Sequence, residues 1–398
     1  MDGIKKKILY IVNVDWFFVS HRLQLAIEAV SQGYEVHLAT NLTDKGKILA
    51  SYGIKVHPIS TGRAKTSVAS ILGNFIDIYQ VVKTVRPQLL HVITIKPIVY
   101  GGLCARLLGV HSLVIAVAGL GYAFSDCGLK SRLLKAILVP IYKYIFQHPN
   151  LRVIFQNSND RATIERVTNI NSKSSKLIKG SGVDLNKYKQ SPFPSGTAVI
   201  VFAARLIRDK GVFDYVEAAA LLKKTKYAPK RGVRCIIVGS EDPGNPNSVT
   251  NSDIQKWKKD RIVEFLGFKQ NIAEIISMAH IVVLPSYYME GLPKILIEAA
   301  ACGRPVITTD HPGCRDAIIT DVTGMLVEKK NPEQIAIAVK RILDEPGLLE
   351  KMGNAGRQLA EENYNINNVV NEHMALYKDL LARSYVIDES KSVPSCFQ

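Results

Sequence analysis

Two glutamates, Glu290 and Glu298, stand eight residues apart in Ser286-Tyr-Tyr-Met-Glu-Gly-Leu-Pro-Lys-Ile-Leu-Ile-Glu298. Ahead of them the apolar run Ile281-Val-Val-Leu-Pro285 reads as a buried strand. Behind, Leu296 to Cys302 reads as an Ala-rich helix stopped at Gly303 and Pro305. Glu290 then lies on a loop just ahead of a helix N-terminus, and Glu298 about one turn inside. Gly291 lets backbone come close to a ligand, and Pro293 fits the first helical turn, where its missing N–H costs nothing. The spacing alone is weak, because a helix-dipole charge and an exposed helical Glu would look the same. A second cluster, Ala203-Ala-Arg205-Leu-Ile-Arg-Asp-Lys210-Gly211, puts two cations at the mouth of another strand. Read alone it is a solvated basic turn. Beside the two glutamates it suits a pyrophosphate, whose non-bridging oxygens take charge-assisted hydrogen bonds as a leaving group gains negative charge.

The elements that must position these residues form two similar series. In the first half the expected strands are 7–12, 35–39, 89–94, 113–117 and 152–156, with helices near 20–32, 67–85 and 99–108. The pattern restarts with strands at 199–203, 233–238, 262–266, 281–284 and 306–308. Alternation of this kind argues for an α/β fold with two Rossmann-like doubly wound domains facing a cleft, and ligands at the carboxyl ends of the strands. Turn formers between Ser181 and Ser195 mark the seam. The expected division is 1–190, 191–366, a helix over 367–387, and a polar, disordered tail over 388–398.

The 398 residues contain 47% hydrophobic and 22% charged side chains, as in a soluble globular protein. No apolar run approaches the ~18–20 residues of a membrane span, and the basic N-terminus passes into too short an apolar stretch for a signal peptide. Six scattered cysteines without Cys-x-x-Cys spacing fit reduced thiols in a cytoplasmic protein. The net charge of +16 is unevenly placed: residues 1–190 hold 25 Lys/Arg against 10 Asp/Glu, and the remainder is nearly balanced. One domain therefore faces something anionic. From 128 to 148 the apolar residues Leu129, Leu133, Ile137, Ile141 and Ile145 recur every four positions, with Lys130, Arg132, Lys135 and Lys143 around them. This basic amphipathic helix, kinked at Pro140, can lie in a membrane interface or bury its stripe in the sheet. Charge beside apolar stripes, with no nucleic-acid module, favours an anionic membrane over nucleic acid. The pair Gly119-x-Gly121 is not a dinucleotide fingerprint, since Phe124 occupies the third position and the strand is a late one.

The segment from Ser286 to Glu298, with Arg205-x4-Lys210, resembles the signature of retaining glycosyltransferases of the two-domain GT-B kind, family 4 in particular. That resemblance covers the chain to about residue 385 and implies that the helix over 367–387 returns to the first domain. It implies that Glu298 accepts from the ribose of a nucleotide, that Glu290 and the amides around Gly291, Leu292 and Pro293 hold the donor sugar, and that Arg205 and Lys210 hold its phosphates. Gly239, Gly267 and Phe268 end two strands at the same rim as further donor contacts. The loops carrying Asp15, His21 and Arg22, Arg63, Lys96, and Gly119 with Gly121 resemble those of bacterial transferases that extend sugars on a polyisoprenyl diphosphate. These residues are the expected acceptor side, with Phe17 and Phe18 reaching an apolar group and Arg22 meeting a phosphate at a helix capped by Ser20. Several relatives carry His or Glu where this chain has Ala118, so a base there is absent. The donor's own β-phosphate then takes the acceptor proton. No Asp-x-Asp is present, which leaves the reaction metal-independent and without a cofactor, at the cytoplasmic face of the inner membrane. A sugar-nucleotide epimerase on the same fold needs a carboxylate pair that the first-half loops lack beyond Asp15. A non-catalytic nucleotide-binding scaffold would not need Arg205, Lys210, Glu290 and Glu298 intact.

Overall fold

Two all-parallel sheets organise the described residues, which are 5–60, 68–121, 124, 128–242 and 245–383 of this computed structural model. The first contains β1 (Lys7–Val14), β2 (Glu35–Asn41), β3 (Lys55–Pro58), β4 (Leu89–Ile93), β5 (Ser112–Val117), β6 (Leu151–Phe155) and β7 (Ser175–Leu177), in the order β3-β2-β1-β4-β5-β6-β7. The second contains β8 (Ala198–Ala203), β9 (Val233–Val238), β10 (Glu264–Gly267), β11 (Ile281–Leu284), β12 (Val306–Thr309) and β13 (Gly324–Val327), in the order β10-β9-β8-β11-β12-β13. Central strands such as Leu-Leu-His-Val-Ile in β4 and Ile-Val-Val-Leu in β11 are buried throughout, as strands covered on both faces must be. Strand order reverses between β1 and β4 and between β8 and β11. Loops leaving those neighbours diverge and open a crevice at each reversal.

The first-half helices are α1 (Asp15–His21), α2 (Leu23–Ser31), α3 (Gly46–Ser51), α4 (Val68–Val85), α5 (Ile95–Leu107), α6 (Gly128–Phe146) and α7 (Ser158–Thr168). The remainder are α8 (Val212–Leu221), α9 (Asn251–Lys259), α10 (Ile272–Ser277), α11 (Lys294–Ala301), α12 (Pro332–Asp344), α13 (Leu348–Asn363) and α14 (Ile366–Ala382). One face of the first sheet buries Ile78, Ile98, Tyr142, Ile145 and Ile164 from α4 to α7. The opposite face buries Phe18, Leu25 and Ala29 together with Met374, Tyr377 and Leu380 of α14. The last helix therefore crosses back onto the first sheet, where the Tyr377 hydroxyl lies 2.6 Å from His91 Nδ1 and Asn150 Nδ2 donates to the Leu380 carbonyl at 2.9 Å. The two chain crossings touch. The Val183 N–H donates to Tyr364 O at 2.7 Å and the Ile366 N–H returns to Val183 O at 3.0 Å.

Several expected elements shift. The segment 20–32 is two helices broken at Arg22, whose backbone (φ −136°, ψ −5°) leaves the helical region. The helix expected near 99–108 starts earlier, at Ile95. The strand expected over 262–266 starts at Glu264. Three strands escaped the sequence reading, β3, β7 and β13, and all lie at sheet edges. An edge strand is short and only half covered, so Lys-Val-His-Pro and Ser-Lys-Leu show no apolar run to find. In the 128–148 stripe, Leu133 is 66% and Ile137 55% exposed while Ile145 is fully buried. Only the C-terminal half of α6 lies over the sheet. The side chains of Leu129 and Lys130, Arg63, and the tail 388–398 lie outside the described residues.

Candidate active site

The loop after β8 and the loop after β11 meet at the second reversal. Asp209 O accepts from the amides of Tyr287 (2.9 Å) and Tyr288 (3.0 Å), and Gly211 (φ +76°) leaves no room for a Cβ, which would stand 2.1 Å from Pro285 O. This zipping brings Lys210 Nζ to 2.5 Å from Glu290 Oε2, with both side chains about nine-tenths buried. The Ser286 hydroxyl donates to the other carboxylate oxygen, Glu290 Oε1, at 2.7 Å. Arg205 lies at the same mouth, its Nη1 2.5 Å from Asp242 Oδ2. Both cations thus hold a carboxylate, and an incoming diphosphate would exchange one set of anionic oxygens for another. Glu298 is buried on α11, where its Oε1 accepts from the Tyr188 hydroxyl at 2.6 Å and pairs with Lys294 Nζ at 3.3 Å. Burial and the neighbouring Glu298 carboxylate keep the Tyr188 phenol protonated.

Around this pair the strand ends are shaped by glycine. A Cβ on Gly239 (φ +146°) would meet Ala204 O at 1.9 Å, so the chain beside Arg205 passes closer than any other residue allows. Gly267 (φ +68°) turns in open space, and Phe268 after it is 70% exposed at the rim. Pro293 is not in the first turn of α11 but precedes it, with ψ of 120° at the N-cap. The loop reaches the helix extended, so proline serves by its fixed φ. The Leu292 N–H is not open to a donor, since it donates to Gln156 Oε1 of the first domain at 3.1 Å.

Across the crevice, Gly119 (φ +97°) and Gly121 (φ +54°) press directly on the Glu290 loop. A Cβ on Gly119 would stand 2.5 Å from Met289 O, and the Gly121 N–H donates to that carbonyl at 3.3 Å. His21 is held by Phe17, whose ring stacks on it at 4.2 Å and whose carbonyl is 3.1 Å from Nδ1. Burial, then Lys294 and Arg22, pull His21 down to about 3, so it is a neutral imidazole facing the donor-side cations. Lys96 stands in the first turn of α5, at the first reversal. Asp15, Arg22, Ser20, Phe17 and Phe18 are placed differently from the expectation. Asp15 is fully buried, and its two oxygens accept from the amides of Trp16, Thr43 and Lys45 and from the Thr43 hydroxyl, so it anchors the 43–45 loop. Arg22 is 3% exposed and makes no ion pair with any described residue. It stands at the N-cap of α2, within reach of Tyr10 and Tyr377, and its buried Nε meets no partner among the described residues. Ser20 caps nothing; its carbonyl accepts from Lys294 Nζ at 2.8 Å. Phe18 is core and Phe17 packs on His21, because α1 turns its aromatic face inward.

Residues 184–359 match the family Glycosyl transferases group 1, and residues 7–158 match the family Glycosyl transferase 4-like. The chain is a glycosyltransferase of the family 4 kind. Among its relatives is the N,N'-diacetylbacillosaminyl-diphospho-undecaprenol alpha-1,3-N-acetylgalactosaminyltransferase of Campylobacter jejuni, 26% identical over 83% of this chain and 87% of that protein. Another is the UDP-Gal:alpha-D-GlcNAc-diphosphoundecaprenol alpha-1,3-galactosyltransferase of Escherichia coli, 24% identical over 79% and 81% of the two chains. The solved structure of Anabaena HepE in complex with UDP-glucose superposes with a TM-score of 0.73 at 17% identity, over 94% of this chain and 99% of that one. The fold of this glycosyltransferase is thus GT-B. Sequence reading of its site missed Tyr188, Asp242 and Lys294, which engage the expected donor residues, and Gln156 and Asn157, which grip the Glu290 loop. Lys294 reaches Glu298 by i,i+4 spacing on α11, a local signal; the others lie far along the chain from their partners, so only the fold joins them.

Proposed function

We propose that this glycosyltransferase transfers a sugar, a hexose or N-acetylhexosamine, from a UDP-sugar to a polyisoprenyl-diphosphate-linked acceptor, with retention and without a metal. The observation that carries the donor half is the buried Lys210–Glu290–Ser286 cluster with Arg205 beside it at the second reversal. The acceptor class rests on the two undecaprenyl-linked relatives, one of which uses UDP-Gal by name. Residues 191–366 hold the donor, 1–190 face the acceptor and membrane, and 367–387 tie the two together. Glu298 takes the ribose, and Glu290 with Gly291 and Pro293 takes the sugar. Gly239, Gly267 and Phe268 line the base end. His21, Lys96, Gly119 and Gly121 border the acceptor.

In the reaction the acceptor hydroxyl oxygen bonds to the anomeric carbon on the face that UDP leaves. The bond from that carbon to the β-phosphate oxygen breaks, its electron pair departs with UDP, and the hydroxyl proton passes to a β-phosphate oxygen. Ala118 offers no base at the position where relatives carry one. Arg205 and Lys210 stabilise the charge gathering on UDP. An epimerase would need acid and base from both walls of the crevice, and Asp15 on the first-domain side is saturated by the 43–45 loop.

A panel of nucleotide sugars tests the donor by thermal shift, because a ligand that binds only the folded state raises its melting temperature. A UDP-sugar should give the largest rise, and free UDP should then appear only when a lipid-diphosphate glycan is added. No rise with any UDP-sugar sinks the donor assignment, and UDP release independent of acceptor sinks the transfer to lipid.

A further inference from the structure

At the end of β6 the chain reads Phe155-Gln156-Asn157, and Gln156 (6% exposed) and Asn157 (1%) point out of the first domain into the second. Asn157 Nδ2 lies 3.3 Å from Glu290 O and donates to Gly291 O at 2.9 Å. Gln156 Oε1 takes the Leu292 N–H, and it stands 2.1 Å from where a Cβ on Gly291 would be. With Gly121 N–H on Met289 O, the three consecutive peptide units between Met289 and Leu292 are each addressed by the first domain. The side chain between them is Glu290, whose carboxylate meets Lys210 and Ser286 inside the second domain. Its backbone is thus set from one domain and its carboxylate used in the other.

We infer that Gln156 and Asn157 are positioning residues that hold the Glu290 loop in its working geometry, so that the donor site is complete only when the first domain is docked. The inference rests on the donor-site reading above. One N–H of Asn157 goes to Asp160 Oδ2 at 3.0 Å and the other to Gly291 O, with Glu290 O in a longer contact; with the Leu292 N–H on Gln156 these restrain a loop that starts at Ser286 and ends at Pro293. Displacing a catalytic group by about 1 Å costs on the order of 100-fold in rate. The fit also explains Gly291 and Gly119, whose missing side chains let the two backbones meet.

Asn157 also caps α7, its Oδ1 accepting from the Asp160 N–H at 2.7 Å, so its variants must separate the two jobs. Asn157→Ser keeps an acceptor for the cap but withdraws the donor from Glu290 and Gly291, and also from the Asp160 carboxylate, so Gln156→Leu is the cleaner probe of the loop. Gln156→Leu removes the acceptor for Leu292 away from any cap. Each should lower kcat about tenfold or more, with donor KM moved less than about threefold and the native fold retained at the assay temperature. The decisive comparison is with Glu290→Gln. If Asn157 acts through Glu290, the double variant loses no more than Glu290→Gln alone, whereas independent structural damage multiplies the two losses. Unchanged kcat in both single variants, or multiplied losses in the double, overturns the inference. Full activity in Glu290→Gln instead overturns the donor-site reading on which it stands.

Discussion

Lys210 and Glu290 form a short ion pair in a nine-tenths buried setting, and removing one partner of such a pair strands the other charge. Lys210→Ala and Arg205→Ala should each lower kcat by about 10²–10³-fold, the range seen when one preorganised donor to a developing anion is lost. On the proposed role of these cations at the leaving group, activity should survive EDTA. Loss in EDTA restored by Mg²⁺ would refute the metal-free assignment. The two glutamates should separate in steady-state kinetics. Glu290→Gln weakens the grip on the sugar and Lys210 and should chiefly lower kcat. Glu298→Gln, held by Tyr188 and Lys294 away from the phosphate cations, should chiefly raise donor KM. Equal losses in both parameters for both variants would leave no division of labour between them. Arg205, Lys210, Glu290 and Glu298 were legible as a group because each pair lies in one short stretch after one strand. Asp15 was misread because its saturating partners come from residues 43–45, whose pairing with it nothing local announces.

Helix α7 shows how an element ties local chemistry to the site. Its cap residue Asn157 also donates to the buried Asp160 carboxylate at 3.0 Å. Burial raises Asp160 from 3.8 to about 7, the Asn157 hydrogen bond opposes that rise, and Asp316 adds to it. A carboxyl raised in the fold holds its proton more tightly there than in the unfolded chain. Its contribution is therefore full below the unfolded value and is lost as pH climbs through 7, by at most about 1.4 kcal/mol per pH unit. Asp160→Asn should flatten the stability profile between pH 4 and 7 and raise stability at pH 8 relative to wild type. Urea unfolding across that range checks it, and an unaltered slope in the variant would remove Asp160 as the cause. Helix α6 divides differently. Leu138, Tyr142, Ile145 and Phe146 are buried against the sheet, while Leu133, Leu134 and Ile137 are exposed beside Arg132 and Lys143. Leu133→Asn with Ile137→Asn should abolish any salt-resistant binding to vesicles without lowering the melting temperature. Retained salt-resistant flotation would place the lipid contact elsewhere.

At the scale of the whole molecule the charge is lopsided, with 25 basic against 10 acidic residues in 1–190. No helix among the described residues is long and apolar enough to cross a membrane. If the first domain docks on anionic lipid, each basic residue near the surface contributes about 1 kcal/mol, screened over ~8 Å in physiological salt. Flotation on anionic vesicles should therefore fall steeply with salt and weaken when Lys130, Arg132, Lys135 and Lys143 become Glu. Equal flotation on neutral vesicles would refute the electrostatic part. Four of the six cysteines, Cys104, Cys235, Cys302 and Cys314, are free and buried, and burial pushes each thiol up to about 12. The twin parallel sheets and the strand ends carrying the cations and glutamates were readable from sequence, whereas the return of the last helix was implied only by the family resemblance. Apolar strand runs, 3.6-residue helices and turn residues are local signals that determine elements by themselves. What the sequence could not show is which loops face one another across the crevice. Gln156 and Asn157 against Glu290–Leu292, Lys294 against Ser20, and Val183 against Tyr364 and Ile366 are contacts between residues 133 to 274 positions apart or between separate domains. Such contacts depend on how two sheets are set against each other. That placement is decided by packing and by the glycines that allow close approach, and no stretch of chain records it alone.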